Sequence, residues 1–212
     1  MADHGPSALA EALAQKSALL HEVDHRVKNN LQLIASLILL QGRRTTDPAA
    51  RAALKTVLER VTAVATVHRR LFQNDPLRFD VADFVRDLTA DLAAAAGRDD
   101  LEIVLELEHV AIPAASAAAF ALVVNELLGN ALKHAFPAGR AGRIRIDLAD
   151  RGEVCVLTVA DDGVGMEGHA GGFGSTIIRL LCQQLHANFQ MTDAQPGVRA
   201  IVTVPMTLGT SP

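Results

Sequence analysis

The sequence predicts an α+β protein in two parts, a helical hairpin followed by helices layered on one face of a mostly antiparallel sheet. Three observations carry this. Residues 7–41 hold neither Pro nor Gly and repeat apolar side chains at helical spacing. A polar break at 42–48 then leads into a second helical stripe that ends near Asn74-Asp75-Pro76. Beyond Pro76 the period changes, and short alternating segments of strand type mix with separate helical ones. The expected division is a hairpin over residues 1–75 and a mixed module over 76–212.

The first helix carries the stripe Leu20, Val23, Val27, Leu31, Ile34 and Ile38. Gly42 is expected to stop it, and Asp47 followed by Pro48 reads as the N-cap and first residue of the second helix. That helix shows Leu54, Val57, Val61, Val64, His68 and Leu71 at steps of three and four. Two helices with one apolar stripe each cannot bury both stripes alone, so a homodimer closing a four-helix bundle is expected. In the second part, Val81 to Ala96 is predicted helical with Asp80 as N-cap, Leu101 to Val110 a strand, and Pro113 to Phe136 an Ala-rich helix. RIRIDL (143–148) and VCVLTVA (154–160) alternate as strands around the turn Ala149-Asp150-Arg151-Gly152-Glu153. A helix over Thr176 to His186 and strands near 189–192 and 198–205 complete the reading.

Composition narrows the function. Half the residues are hydrophobic and 21% charged, enough apolar material for a real core. The 20 basic and 24 acidic residues give a net charge of −4, without the basic excess of a nucleic-acid binder, and Trp and Tyr are absent as stacking platforms. No membrane insertion and no signal peptide are expected, so the location read is cytoplasmic. Cys155 and Cys182 sit in differently patterned segments and read as core filling.

One histidine stands on the wrong side of its helix. At about 100° per residue the first stripe occupies about 80° of arc, and position 25 falls about 150° from its centre. His25 therefore shares a polar row with His21, Lys28, Asn29, Gln32 and Ser36. Imidazole is a good nucleophile near neutral pH and, protonated, a good leaving group, which suits reversible phosphorylation. On the Ala-rich helix, Glu126, Asn130, Lys133 and His134 recur at three- and four-residue steps and can address one ligand.

Together the segments LLHEVDHRVKNNLQ (19–32), NELLGNALKHAFP (125–137), DDGVGM (161–166) and GGFG (171–174) resemble, in order, the phospho-acceptor box, N box and two glycine boxes of HisKA_2-family sensor histidine kinases. The resemblance implies that the second part is an α/β sandwich of the Bergerat (GHKL) type that binds ATP. It implies that Asn130 holds Mg2+ through an oxygen ligand, that Glu126 supplies a metal-organising or water-polarising acid, and that Lys133 and His134 meet phosphate or ribose. Asp161 would accept the adenine amine, Gly163 and Gly165 would let the backbone pass the base, and Gly172 and Gly174 would present N–H groups to the phosphates.

On this reading a His25 nitrogen attacks the γ-phosphorus of Mg-ATP, Asp24 or Glu22 orients the ring or takes its proton, and the phosphoryl group passes to an aspartate on a response-regulator receiver domain. Asn29 matches the position that aligns water for phosphatase activity in related kinases. A phosphotransfer or phosphatase adaptor without autokinase activity is the alternative. The segment between the glycine boxes, Glu167 to Gly171, is shorter than the family's usual lid, and the second box reads GFGSTII where the family prefers GLGL-like residues. Few residues precede His25, so the input is expected from a separate sensor partner or from a longer protein.

Overall fold

The computed structural model describes residues 5–71, 78–165 and 173–206; the side chains at 5–21, 23–25, 69–71, 138, 173 and 174 lie outside that description. The chain divides into two compact units between Phe72 and Gln73.

The first unit is an antiparallel pair of helices, α1 (Gly5–Arg44) and α2 (Pro48–Leu71). Gly42 does not end α1, which runs two residues further. The turn is closed by Thr45, whose N–H and hydroxyl both donate to the Gln41 carbonyl, and by Arg51, whose guanidinium donates back to the Thr45 carbonyl at 2.8 and 3.2 Å. Asp47 caps α2 as expected, accepting the Ala49 and Ala50 N–H groups at 3.1 and 3.3 Å ahead of Pro48.

The expected stripes need two corrections. Val27, Leu31, Ala35, Ile38 and Gly42 are half-buried, whereas Leu33, Ile34, Leu37 and Leu40 are 44–60% exposed, so α1 is apolar on two sides over its last turns. On α2, Val57 is exposed, and among the described side chains the buried positions are Ala63 and Val67.

The second unit is one five-stranded sheet with helices on a single face. It comprises β1 (Arg78–Asp80), α3 (Val81–Ala96), β2 (Leu101–Leu107), β3 (Ala111–Pro113), α4 (Ala114–Asn130), a π-helical turn (Ala131–Ala135), a short 3-10 turn (Pro137–Gly139), β4 (Gly142–Asp150), β5 (Val154–Asp161), α5 (Phe173–Gln184), β6 (Asn188–Asp193) and β7 (Val198–Pro205). The strand order is β2-β4-β5-β7-β6, with β1 and β3 paired separately. Every neighbour in the large sheet is antiparallel except β2 and β4, which run parallel because β3 and α4 form the crossover between them.

Alternation sets the layers. Ile144, Ile146, Leu148, Cys155, Leu157, Val159, Ala200, Val202 and Val204 are buried, while their sequence neighbours line the bare face. The buried row meets Phe84 and Val85 of α3, Phe120, Val124 and Leu128 of α4 and Ile178 of α5 in one core. Each such side chain contributes roughly 1.5–3 kcal/mol of burial. The stretch Ala114–Ala135 is long and apolar enough to cross a membrane by composition, and its 61% burial as the core helix accounts for that apolarity. The two cysteines are buried, and desolvation raises their thiols to about 12 (Cys155) and about 11 (Cys182), which keeps them unreactive.

Most element types follow the expectation, but the helix read as Pro113–Phe136 is α-helical only over Ala114–Asn130 before the π turn, the short strands β1 and β3 were not expected, and boundaries differ where the chain answers to its neighbours. The strand read as Leu101–Val110 leaves the sheet at Leu107, because Val110 turns away and gives its carbonyl to the Val81 N–H. Asp80 caps α3 through Asp83 N–H, and Gly97 closes it in left-handed geometry. α5 begins at Phe173, three residues before the expected start.

Candidate functional site

The polar residues of the N box sit where a core helix runs out of core. α4 buries ten residues over 117–128, two of them polar: Asn125 and Glu126 are 4% and 6% exposed. Polar groups in such a position are costly unless they are used. The Asn125 amide lies 3.5 Å from Glu126 Oε1, and Asn125 Oδ1 is buried without a hydrogen-bond partner. Asn130 is half-buried at the last position of α4, and Lys133 and His134 stand exposed on the π turn that follows. One-turn π segments recur at functional sites, since they re-aim side chains without ending the helix.

The π turn delivers its end to the first glycine box. The Ala135 carbonyl accepts the Val164 N–H at 3.0 Å, and a Cβ built on Gly163 would lie 2.3 Å from that same oxygen. Only glycine fits there. Asp161, the last residue of β5, is half-buried, and its Oδ1 accepts the N–H groups of Gly163 at 3.0 Å and Val198 at 3.2 Å. Both donors use one oxygen, which leaves Oδ2 for another partner. Burial pushes the Asp161 carboxyl above the usual range, outweighing the two N–H donors that act the other way.

Across from it, Gly197 has φ +92°, and a Cβ there would stand 1.8 Å from the Asp161 carbonyl. Gly165 faces the same Gly197 turn, the Gly197 carbonyl 3.7 Å from where its Cβ would be. Asp161, Gly163, Gly165, the end of the N box and the β6–β7 turn thus form one place, at a strand end beside a helix end.

Gly174 lies in the first turn of α5, and Gly172, with the rest of 166–172, lies outside the described residues. Asp24 and His25 are carried by α1, their side chains outside the description. Around them the polar row stands as expected: Lys28, Asn29, Gln32 and Ser36 are exposed. Glu22 is paired with Arg26 one turn on, which occupies one of the two acids considered for His25.

Three contributors were not identified from the sequence. Asn125 was visible only as a letter of the N box, because burial of a helix position depends on the partner elements. Gly197 and Val198 follow Gln195-Pro196, a legible turn signal, yet nothing local tells that this turn folds onto Asp161.

Residues 22–96 match the HisKA_2 model, described as histidine kinase, and residues 88–193 match HATPase_c_2, described as histidine kinase-like ATPase domain. Sensor histidine kinase PdtaS of Mycobacterium tuberculosis is 32% identical over 206 residues, covering 92% of this chain and 41% of PdtaS. Blue-light-activated histidine kinase 2 of Erythrobacter litoralis is 28% identical over 217 residues, covering 96% of this chain and 62% of that protein. The chain thus spans less than two thirds of these relatives.

Among solved structures, the histidine kinase domain of the Erythrobacter litoralis EL346 blue-light-activated kinase superposes with TM-score 0.67 at 25% identity, covering 92% of this chain and 94% of that domain. The catalytic domain of histidine kinase ThkA shares the fold of the second unit, with TM-score 0.54 at 17% identity over 61% of this chain and 96% of that one. The two family models thus match the two parts of the chain in sequence order, and the chain belongs to the HisKA_2 histidine kinases that carry a histidine kinase-like ATPase domain.

Proposed function

We propose that this chain is a cytoplasmic kinase core that phosphorylates its own His25 from Mg-ATP and hands the phosphoryl group to an aspartate of a response-regulator receiver domain. The observation that carries the nucleotide half is Asp161. Its Oδ1 is saturated by two backbone N–H groups while Oδ2 remains, and Gly197 brings its backbone directly against it. Such a carboxylate selects a donor such as the exocyclic amine of adenine. Gly163, Gly165, Gly172 and Gly174 line the path of the nucleotide, and Lys133 and His134 neutralise phosphate.

Mg2+ fits the donor set in kind: half-buried Asn130 offers a hard oxygen, and Glu126 one turn earlier adds a carboxylate. Bound there, the ion offsets charge on the phosphate oxygens. The ring nitrogen of His25 forms the N–P bond as the bond from the γ-phosphorus to the bridging oxygen breaks and ADP leaves. Asp24 or Glu22 takes the ring proton or orients the ring. Asn29, exposed one turn on, aligns water for the phosphatase reaction, in which water takes the phosphoryl group as inorganic phosphate.

The active form is a homodimer. Leu33, Leu37 and Leu40 lie about 150° around α1 from the residues that face α2, and position 25 lies about 90° from those leucines. A second hairpin seated on them completes a four-helix bundle and leaves position 25 accessible to nucleotide and receiver. A sensor partner supplies the input.

The test is incubation with γ-labelled ATP and magnesium. Acid-labile, alkali-stable label is expected on the wild type and absent from His25→Ala, and Asn130→Ala loses label while remaining dimeric. Nucleotide that fails to bind in calorimetry would overturn the kinase reading in favour of the phosphotransfer adaptor.

A further inference from the structure

The link between the N box and β4 is tied down from outside the site by one guanidinium. Arg98 follows Gly97, the left-handed cap of α3. Its Nε and Nη2 donate to the two carboxylate oxygens of Asp100 at 2.7 and 2.8 Å. The same group reaches across the chain: Nη1 donates to the Phe136 carbonyl at 3.1 Å and Nη2 to the Arg140 carbonyl at 3.0 Å. Those two carbonyls bracket the 3-10 turn Pro137–Gly139. Arg98 is therefore the planar hub of three acceptors, two of them carbonyls of one connecting segment, and it is three-quarters buried in doing so. Its hydrogen bonds hold the Asp100 carboxyl below the usual range.

What this segment touches gives the contact its meaning. Phe136 is 2% exposed, and its ring occupies the space a Cβ on Gly142 would need. Arg140 donates to the Asp162 carbonyl at 3.3 Å, and Asp162 Oδ1 accepts the Arg143 N–H at 2.7 Å. One peptide before Phe136 stands the Ala135 carbonyl, which accepts the Val164 N–H and abuts Gly163. Moving the Phe136 carbonyl moves that of Ala135, and with it the floor of the glycine box.

We propose that Arg98, oriented by Asp100, is a positioning residue for nucleotide binding: by holding the carbonyls of Phe136 and Arg140 it sets the Ala135 carbonyl against Gly163 and Val164, and so the place where the base lies. The proposal rests on the nucleotide-binding reading of Asp161. Arg98 itself touches no nucleotide. What it contributes is the fork, since a lysine has the charge but cannot address three acceptors in one plane.

The experiment uses the whole chain and compares Mg-ATP affinity by calorimetry with KM and kcat of autophosphorylation. Arg98→Ala and Arg98→Lys are both expected to raise Kd and KM about tenfold with kcat within about twofold, as the loss of charge-assisted hydrogen bonds around a site implies. Arg145→Ala, which removes ion pairs with Glu106 and Asp147 on the bare face of the sheet, is expected to leave Kd unchanged. Asp100→Asn keeps the carbonyl contacts and is expected to fall between wild type and Arg98→Lys; it carries the comparison if Arg98→Ala does not fold.

Wild-type affinity in Arg98→Lys would overturn the proposal, because charge alone would then suffice. Equal losses in Arg98→Ala and Arg145→Ala would also overturn it, showing general destabilisation. Failure of the wild type to bind Mg-ATP would overturn the nucleotide reading itself, and that result is distinguishable in the first titration.

Discussion

Asp161 is a residue under opposed demands, and its acid–base behaviour follows from them. Burial favours the neutral carboxyl, the N–H groups of Gly163 and Val198 favour the charged one, and burial prevails. A carboxyl whose folded pKa lies above its unfolded value binds more protons in the native state. Its contribution is therefore favourable at low pH and is lost as pH rises through the window above the ordinary carboxylate range. Asp161→Asn abolishes this titration while its side-chain oxygen can still accept both N–H groups. The variant should melt no lower than wild type at neutral pH, and any gain should shrink toward acid pH, as thermal melts across pH would show. Its carboxamide presents a donor to the adenine amine, so ATP affinity should fall at least about tenfold. A variant that bound ATP normally would remove Asp161 from base recognition. The residue was legible because an acid at a strand end before Gly-Val-Gly is a local pattern. The tightness around it was not, because Gly197 comes from a hairpin thirty-odd positions later and only the folded sheet brings it there.

Elements show the same division between local and long-range causes. Asp47 and Asp80 were readable as punctuation, because capping satisfies N–H groups within a few residues of the signal, whereas the left-handed close at Gly97 was not read. The π turn was not readable: Ala-Leu-Lys-His-Ala is ordinary helix material, and the Ala135 carbonyl at its end is taken by the Val164 N–H from the loop after β5. The end of α5 offers a case of a cap without its usual residue. The Ala187 N–H donates to Cys182 and the His186 N–H to Gln183, a Schellman pattern, with His186 at φ +51° where glycine is customary. A side chain in that conformation costs roughly 1–2 kcal/mol, part of which glycine returns through its more flexible unfolded chain. His186→Gly should therefore raise stability by about 0.5–1 kcal/mol in denaturant melts without altering nucleotide affinity. A loss of stability would mean that the imidazole makes a favourable contact of its own.

At the scale of the molecule, the two units follow different logics. The ATPase-type unit buries its apolar residues against itself, and its class was evident from the change of period after Pro76. The hairpin leaves Leu33, Leu37 and Leu40 at 50–60% exposure, and a single-stripe reading of α1 missed them because consecutive apolar residues at 37–40 blur the helical period. The proposed association should depend on them: Leu37→Glu is expected to sediment as a monomer where the wild type sediments as a dimer, with the second unit still folded. A variant that stayed dimeric would place the interface elsewhere. The hairpin is also lopsided. Its first helix has 40 residues and its second 24, which leaves roughly 24 Å of α1 projecting past the end of α2. No proline interrupts the helix between that overhang and position 25. Any rotation of that projecting segment is therefore carried along one continuous helix to position 25.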